Sequence, residues 1–230
     1  MLKQETREIF KALIPISNKF IIESPKTVFT DEFKQMICSL DLEKLGEKID
    51  EPIAIQEIGT FLSAVDLIED PEITIKDRII NIKNDTSTIR YLTSDLKSMV
   101  KTDYEIIEST KKVNSVLKFE LKKDIIETLR RAVQVFKTAD TIFIQKDSTG
   151  LTIKLGQDEQ FNSSSNDFSF KVSDFEDTAE KDYVVKIPVQ SILRLPVLDY
   201  NFEVKYNKEK DAYRLYLSNS ILEIILSTIR

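Results

Sequence analysis

Two pairs of stretches in this chain match each other across a long separation. "LKQETREIFKAL" at residues 2–13 lies against "LKKDIIETLRRA" at 121–132, and "IAIQEIGTFL" at 53–62 lies against "IPVQSILRL" at 187–195. The offsets are 119 and 134 residues, so the second copy carries about 15 residues more between its anchors. A period this long marks a duplicated domain rather than a solenoid. Whatever one half folds into, the other must also fold into, and 230 residues suit two domains of ordinary size.

The apolar patterning fills in each half. Thr6, Ile9, Phe10 and Leu13 share a face at helical spacing over 3–14, and Pro15 helps to end that helix. Short strands are predicted at Phe20–Ile22, Val28–Thr30 and Gln35–Leu40, a second helix at 56–67, and three strands in "EITIK", "RIINIK" and "STIRYL". Residues 93–114 are polar and weakly periodic and read as a connector. The pattern then restarts with a strand at Val116–Leu121 and a helix at 122–137. A hairpin follows around "KDSTG", then a polar loop "QDEQFNSSSND", strands "FSFKV" and "DYVVKI", and a short helix opened by Pro188. Strict alternation over Leu198–Tyr206 and over Tyr213–Leu217, then "ILEIIL", gives three closing strands. The expectation is an α+β chain of two similar domains, 1–110 and 111–230, each an antiparallel sheet with two helices on one face.

Composition narrows the function. The chain has no histidine, so the commonest general base and metal ligand are missing, and four glycines leave no phosphate-cradling loop. The single cysteine, Cys38, allows no intrachain disulfide and alternates with Met36 and Leu40 as a core residue would. Asp66, Glu69, Asp70 and Glu72 are the densest carboxylates, but they read as a solvated loop closing a helix rather than a metal site. No catalytic residue, metal or cofactor is predicted. With no signal-peptide pattern and no long apolar run, a cytoplasmic protein away from membranes is expected.

The net charge is −6, from 33 Lys+Arg against 39 Asp+Glu, yet both long helices carry cations opposite their apolar stripes. At 122–137 the stripe is Ile125, Ile126, Leu129, Ala132, Val133 and Phe136. Lys123, Glu127, Arg130, Arg131 and Gln134 lie opposite, with Lys137 at the flank. At 3–14 the outward residues are Gln4, Arg7, Glu8 and Lys11, with Lys3 at the flank. Exposed cations on one helix are ordinarily just solvated. The same feature on two repeat-equivalent helices of an acidic chain points to phosphate contacts without sequence readout.

Taken together, these stretches resemble a sliding clamp, the DNA polymerase processivity factor, and are most similar to the trimeric clamps of T-even-like tailed phages. The resemblance is carried by 117–155, by "IAIQEIGTFLSAVDLIEDPEITI" at 53–75, by "IPVQSILRLPVLDYNFEV" at 187–204 and by the helix at 3–14. It implies the DNA-clamp fold and a homotrimeric ring encircling duplex DNA, with helices lining the hole and sheets outside. It also implies loading by an ATP-driven clamp loader and tethering of a DNA polymerase. By position, Lys3, Arg7, Lys11, Lys123, Arg130, Arg131 and Lys137 would face the DNA, although Glu8 and Glu127 would share that face. A pocket for partner peptides would draw on Leu96, Met99 and Val100 of the connector and Ile225, Leu226 and Ile229 near the chain end. Each of these reads equally as an ordinary core or strand residue. The competing reading is a non-enzymatic phage structural or interaction protein with a duplicated α+β fold.

Overall fold

The structure, a computed structural model, describes residues 2–157, 167–179 and 181–229. Most of the expected polar loop at 157–167 therefore lies outside the described residues. The chain divides into two compact units, Met1–Tyr104 with Ser220–Leu222, and Glu105–Asn219 with Glu223–Arg230.

The first unit runs α1 (Gln4–Leu13), β1 (Phe20–Ile22), β2 (Lys26–Thr30), β3 (Met36–Asp41), β4 (Ile53–Ile55), α2 (Ile58–Asp66), β5 (Glu72–Lys76), β6 (Ile79–Lys83) and β7 (Thr88–Leu92). In α1 the buried residues Thr6, Phe10 and Leu13 recur at helical spacing. The turn after it closes on the Leu13 carbonyl, which accepts from the N–H groups of Ile16 (2.9 Å) and Ser17 (3.2 Å). Antiparallel pairing joins β1 to β4, β2 to β3, and β5, β6 and β7 in a meander. Aromatic rings tie helix to strands: Phe10 meets Phe20 edge-on at 5.3 Å, and Phe20 meets Phe29 at 4.4 Å. Cys38 is fully buried, and desolvation pushes its thiol pKa far up, which leaves it inert. The β5–β6 turn uses Asp77 and Arg78, both at positive φ (49° and 66°). That is the type I′ geometry that matches strand twist.

The second unit runs α3 (Glu105–Lys111), β8 (Ser115–Leu121), α4 (Lys123–Val135), β9 (Thr141–Asp147), β10 (Gly150–Gly156), β11 (Phe168–Val172), β12 (Phe175–Asp177), β13 (Tyr183–Pro188), α5 (Val189–Arg194), β14 (Tyr200–Asn207), β15 (Ala212–Ser218) and β16 (Leu222–Ser227). One antiparallel sheet has the order β11-β10-β9-β13, and a second contains β12-β8-β14-β15-β16. In α4, Ile126, Leu129 and Ala132 are buried, while Ile125, Val133 and Phe136 are half-buried along the edges of the stripe. Within each unit two helices pack beside each other, α1 with α2 and α4 with α5.

Four elements were not expected from the sequence, the first being the three-residue strand β4. The segment read as a connector holds a 3-10 turn at Leu96–Ser98 and the helix α3, whose Ile107 and Thr110 are buried. Seven residues bearing a Ser and a Thr give too short a repeat for periodicity to register. The strand β12 is three residues long and was not expected, for the same reason.

Lys205 is a buried cation. It donates to Ser115 Oγ at 2.9 Å and pairs with Glu203 at 2.8 Å, and the Ser115 hydroxyl also donates to Glu203. Burial alone would raise the Glu203 pKa, but the hydrogen bonds from Lys205 and Ser115 outweigh it and hold the carboxyl below its usual range. A depressed folded-state pKa stabilises the fold above the unfolded value of about 4.3. That stabilisation is lost as pH falls through the depressed value. Glu203→Gln should therefore remove part of the loss of stability below about pH 4.3, measured by urea unfolding across pH. Phe20→Ala, which empties the centre of the aromatic row, should cost about 3–5 kcal/mol in the same assay at neutral pH.

Candidate nucleic-acid interface and partner groove

The seven cations expected on the helix faces divide by what their side chains touch. Arg7 pairs with Asp66 of α2 at 3.1 Å and donates to the Leu2 carbonyl. Lys11 pairs with Asp66 at 2.8 Å and with Glu8 at 2.7 Å. Its pKa is raised by its hydrogen bonds to Asp66 first and Glu8 second. The Lys3 ammonium donates to the Leu45 carbonyl at 2.9 Å. On the first unit, then, Asp66 is shared by two cations, Lys11 also meets Glu8, and a loop carbonyl holds Lys3. Adjacency of the two helices brings Asp66 there, which spacing along the chain does not disclose.

On the second unit Arg130 is also engaged. Its guanidinium donates to the carbonyls of Ile192 (3.4 Å), Leu193 (3.0 Å) and Leu195 (2.5 Å). These groups at the end of α5 have no further helical turn to accept from, so Arg130 serves as its C-terminal cap. The helical wheel placed Arg130 outward because it treats α4 as if alone. The neighbouring helix end draws the side chain sideways into a half-buried position. Lys123, Arg131 and Lys137 are exposed, with Arg131 donating to its helix neighbour Thr128 at 3.2 Å. Glu127 is exposed on the same helix. The exposed charges of α4 and its C-terminal flank are thus three cations, Lys123, Arg131 and Lys137, against two acids, Asp124 and Glu127.

The carboxylates at 66–72, read from the sequence as a solvated loop, do not converge. Asp66 turns to α1, Glu72 pairs with Lys83 at 3.1 Å, and no group of carboxylates that could hold a metal ion occurs among the described residues. No helix among them is long and apolar enough to cross a membrane.

The six residues expected to line a partner pocket also divide. Ile225 and Leu226 are core side chains of β16, 2% and 0% exposed, and are not available to a partner. The strand carries a run of consecutive buried residues, Ile224–Leu226, and that run hides both. Ile229 is half-buried, and its N–H donates to the Lys186 carbonyl at 2.8 Å. It lines a 360 Å³ groove in the second unit together with Val184, Lys186, Tyr213 and Thr228. Val184 is exposed at the groove's edge. Tyr213 stacks on Tyr183 at 5.8 Å. Val184, Tyr213 and Thr228 were not singled out from the sequence, since ordinary strand alternation accounts for all of them. Leu96 and Val100 of the first unit are exposed, and Met99 is half-buried.

No family model matches the chain. A curated relative, the sliding clamp of Vibrio phage KVP40, is 21% identical over 99% of this chain and 98% of its own length. Among solved structures, the PCNA of A. fulgidus bound to the C-terminal region of FEN-1 superposes with a TM-score of 0.67 at 12% identity. It covers 97% of this chain and 94% of its own. Proliferating cellular nuclear antigen from Entamoeba histolytica gives 0.66 at 10% identity over the same shares.

If Arg130 caps α5, Arg130→Ala should lower stability by about 2 kcal/mol, since charge-assisted hydrogen bonds contribute about 1.5–3 kcal/mol. Arg131→Ala should stay within about 0.5 kcal/mol in the same urea titration. Equal effects would contradict the division between capping and exposed cations. Two similar α+β units, the whole-length phage relative and the solved neighbours together give this chain the DNA-clamp fold and make it similar throughout to phage sliding clamps.

Proposed function

We propose that this chain is a non-catalytic DNA polymerase sliding clamp, three copies of which close into a ring around duplex DNA. The observation that carries the reading is the similarity to a phage sliding clamp over nearly all of both chains, joined to a duplicated unit that packs two helices side by side. In this reading the helix faces look toward the DNA, and Lys123, Arg131 and Lys137 meet its phosphates without reading bases. Lys3, Arg7, Lys11 and Arg130 shape that face while already engaged by the protein. The contacts are few and solvated, which suits a ring that must slide, and retention comes from closure. The net charge of −6 discourages DNA from binding elsewhere on the surface.

Ring closure needs a head-to-tail contact between copies. Two edge strands are suited to it. Leu92 of β7 is 70% exposed at one edge of the first unit's meander, and β11 with Phe168 and Phe170 is an edge of a sheet in the second unit. Pairing β7 of one copy with β11 of the next would cover both edges. The groove around Tyr213 and Ile229 would receive an apolar peptide of the polymerase or another partner. Loading would fall to an ATP-driven clamp loader, in the host cytoplasm.

Light scattering should give three times the chain mass of 26.6 kDa. Leu92→Lys with Phe170→Lys should shift it toward the single-chain mass. Changing Lys123, Arg131 and Lys137 together to Glu should keep the mass but shorten primer extension per binding event about tenfold or more, through lost, salt-dependent phosphate attraction. A structural or interaction protein would leave primer extension unchanged in both variants.

A further inference from the structure

The two units differ at one strand. Matching hydrogen bonds set their registers against each other. Thr93 Oγ1 donates to the Arg78 carbonyl at 3.1 Å as Thr228 Oγ1 donates to the Tyr213 carbonyl at 2.8 Å. The next N–H in each case, that of Ser94 or Ile229, donates at 2.8 Å to the strand before the second helix, at Ala54 or Lys186. Counting from these points, Lys76 opposite Ile79 corresponds to Lys205 opposite Arg214. Ile73 and Ile75 of β5 are then the counterparts of Phe202 and Val204 of β14.

In the second unit, Phe202 and Val204 lie across from Phe119 and Leu117 of β8 and are buried, with the two Phe rings 4.6 Å apart. In the first unit β5 is an edge strand, and no strand among the described residues lies where β8 would. Ile75 is consequently 52% exposed where Val204 is 0%. A 720 Å³ cavity opens beside it, whose apolar lining includes Leu2, Ile22, Ile53, Phe61, Ile73 and Ile75 within a rim of charged residues. By the repeat of 2–13 with 121–132, Leu2 is the counterpart of Leu121, the last residue of β8. The backbone agrees. A two-residue hairpin turn is closed by a hydrogen-bonded pair, here Lys76 and Ile79. Alternation therefore directs the N–H and C=O of Ile73 and Ile75 away from β6, to the open edge.

We propose that the open edge of β5 accepts an extended peptide segment of a partner protein, added as an antiparallel strand. Its side chains follow from the register. Two apolar residues at alternate positions fill the cavity, as Leu117 and Phe119 do in the second unit. Charge sets the rest. The position across from Glu72 is basic and the position across from Lys76 is acidic, the counterparts of Glu120 and Ser115 in the β8 register. Main-chain pairing supplies affinity, and the alternate side chains supply selectivity. This inference rests on the internal repeat alone and stands apart from ring formation.

The test is fluorescence anisotropy of two labelled peptides against the full chain. EVLKFKL follows the β8 pattern with complementary end charges, and KVLKFEL swaps those charges. EVLKFKL should bind saturably, one per chain, and at least tenfold tighter than KVLKFEL. Proline is tolerated at an edge whose N–H points outward, so Ile75→Pro should abolish binding while preserving circular dichroism, mass and DNA retention. If that variant loses its fold, Ile75→Lys takes its place. Absence of saturable binding, equal binding of both peptides, or full binding to a folded Ile75 variant would overturn the proposal. Concentration-dependent growth in mass that Ile75→Pro suppresses would also overturn it, by making a second copy of the chain the occupant.

Discussion

Each unit depends on burying the apolar stripe of its long helix. In the first unit Phe10 leaves α1 to meet Phe20, which in turn meets Phe29, so one aromatic row joins the helix to two strands. In the second, Ile126, Leu129 and Ala132 do the equivalent from α4. Removing such side chains from water contributes about 1.5–3 kcal/mol apiece. The burial fixes the rotation of each helix, and rotation decides which side chains face out. Because the opposite face is set by exclusion, the charge a unit presents follows from its core.

That rotation is only the first filter on the charged face. A cation on the outward side is available to DNA only if nothing nearer claims it. Asp66 claims Arg7 and Lys11, and the carbonyls at the end of α5 claim Arg130. The units thus share an architecture but differ in field: the first pairs Arg7 and Lys11 with Asp66, and the second keeps Lys123, Arg131 and Lys137 exposed beside Asp124 and Glu127. In the proposed ring a weak and uneven field would suffice, because closure rather than affinity would keep the protein on DNA.

How much was legible in the sequence follows from what periodicity can encode. Long elements with a buried stripe or strict alternation were readable: α1, α4, the β5–β7 meander and the strand at Tyr200–Asn207 all lie where the pattern places them. The duplication was readable because it rests on order and spacing. The seven-residue α3 and three-residue β12 were not, since neither completes enough turns or alternations to rise above the background. In the candidate site, the outward side of α4 was readable, but the engagement of Arg130 was not. That engagement depends on the end of a helix some sixty residues away in sequence. Ile225 and Leu226 are hidden by a run of buried residues that alternation does not anticipate.

The central proposal is topological: the protein would stay on DNA because it surrounds it. The direct measurement is retention on a closed circular duplex after loading, followed by a single cut with a restriction enzyme, at a salt concentration that screens surface attraction. The account predicts stable retention on the closed circle and rapid loss once the ends are free. Equal retention on closed and cut DNA would contradict it, since binding would then be to the surface of the duplex rather than around it.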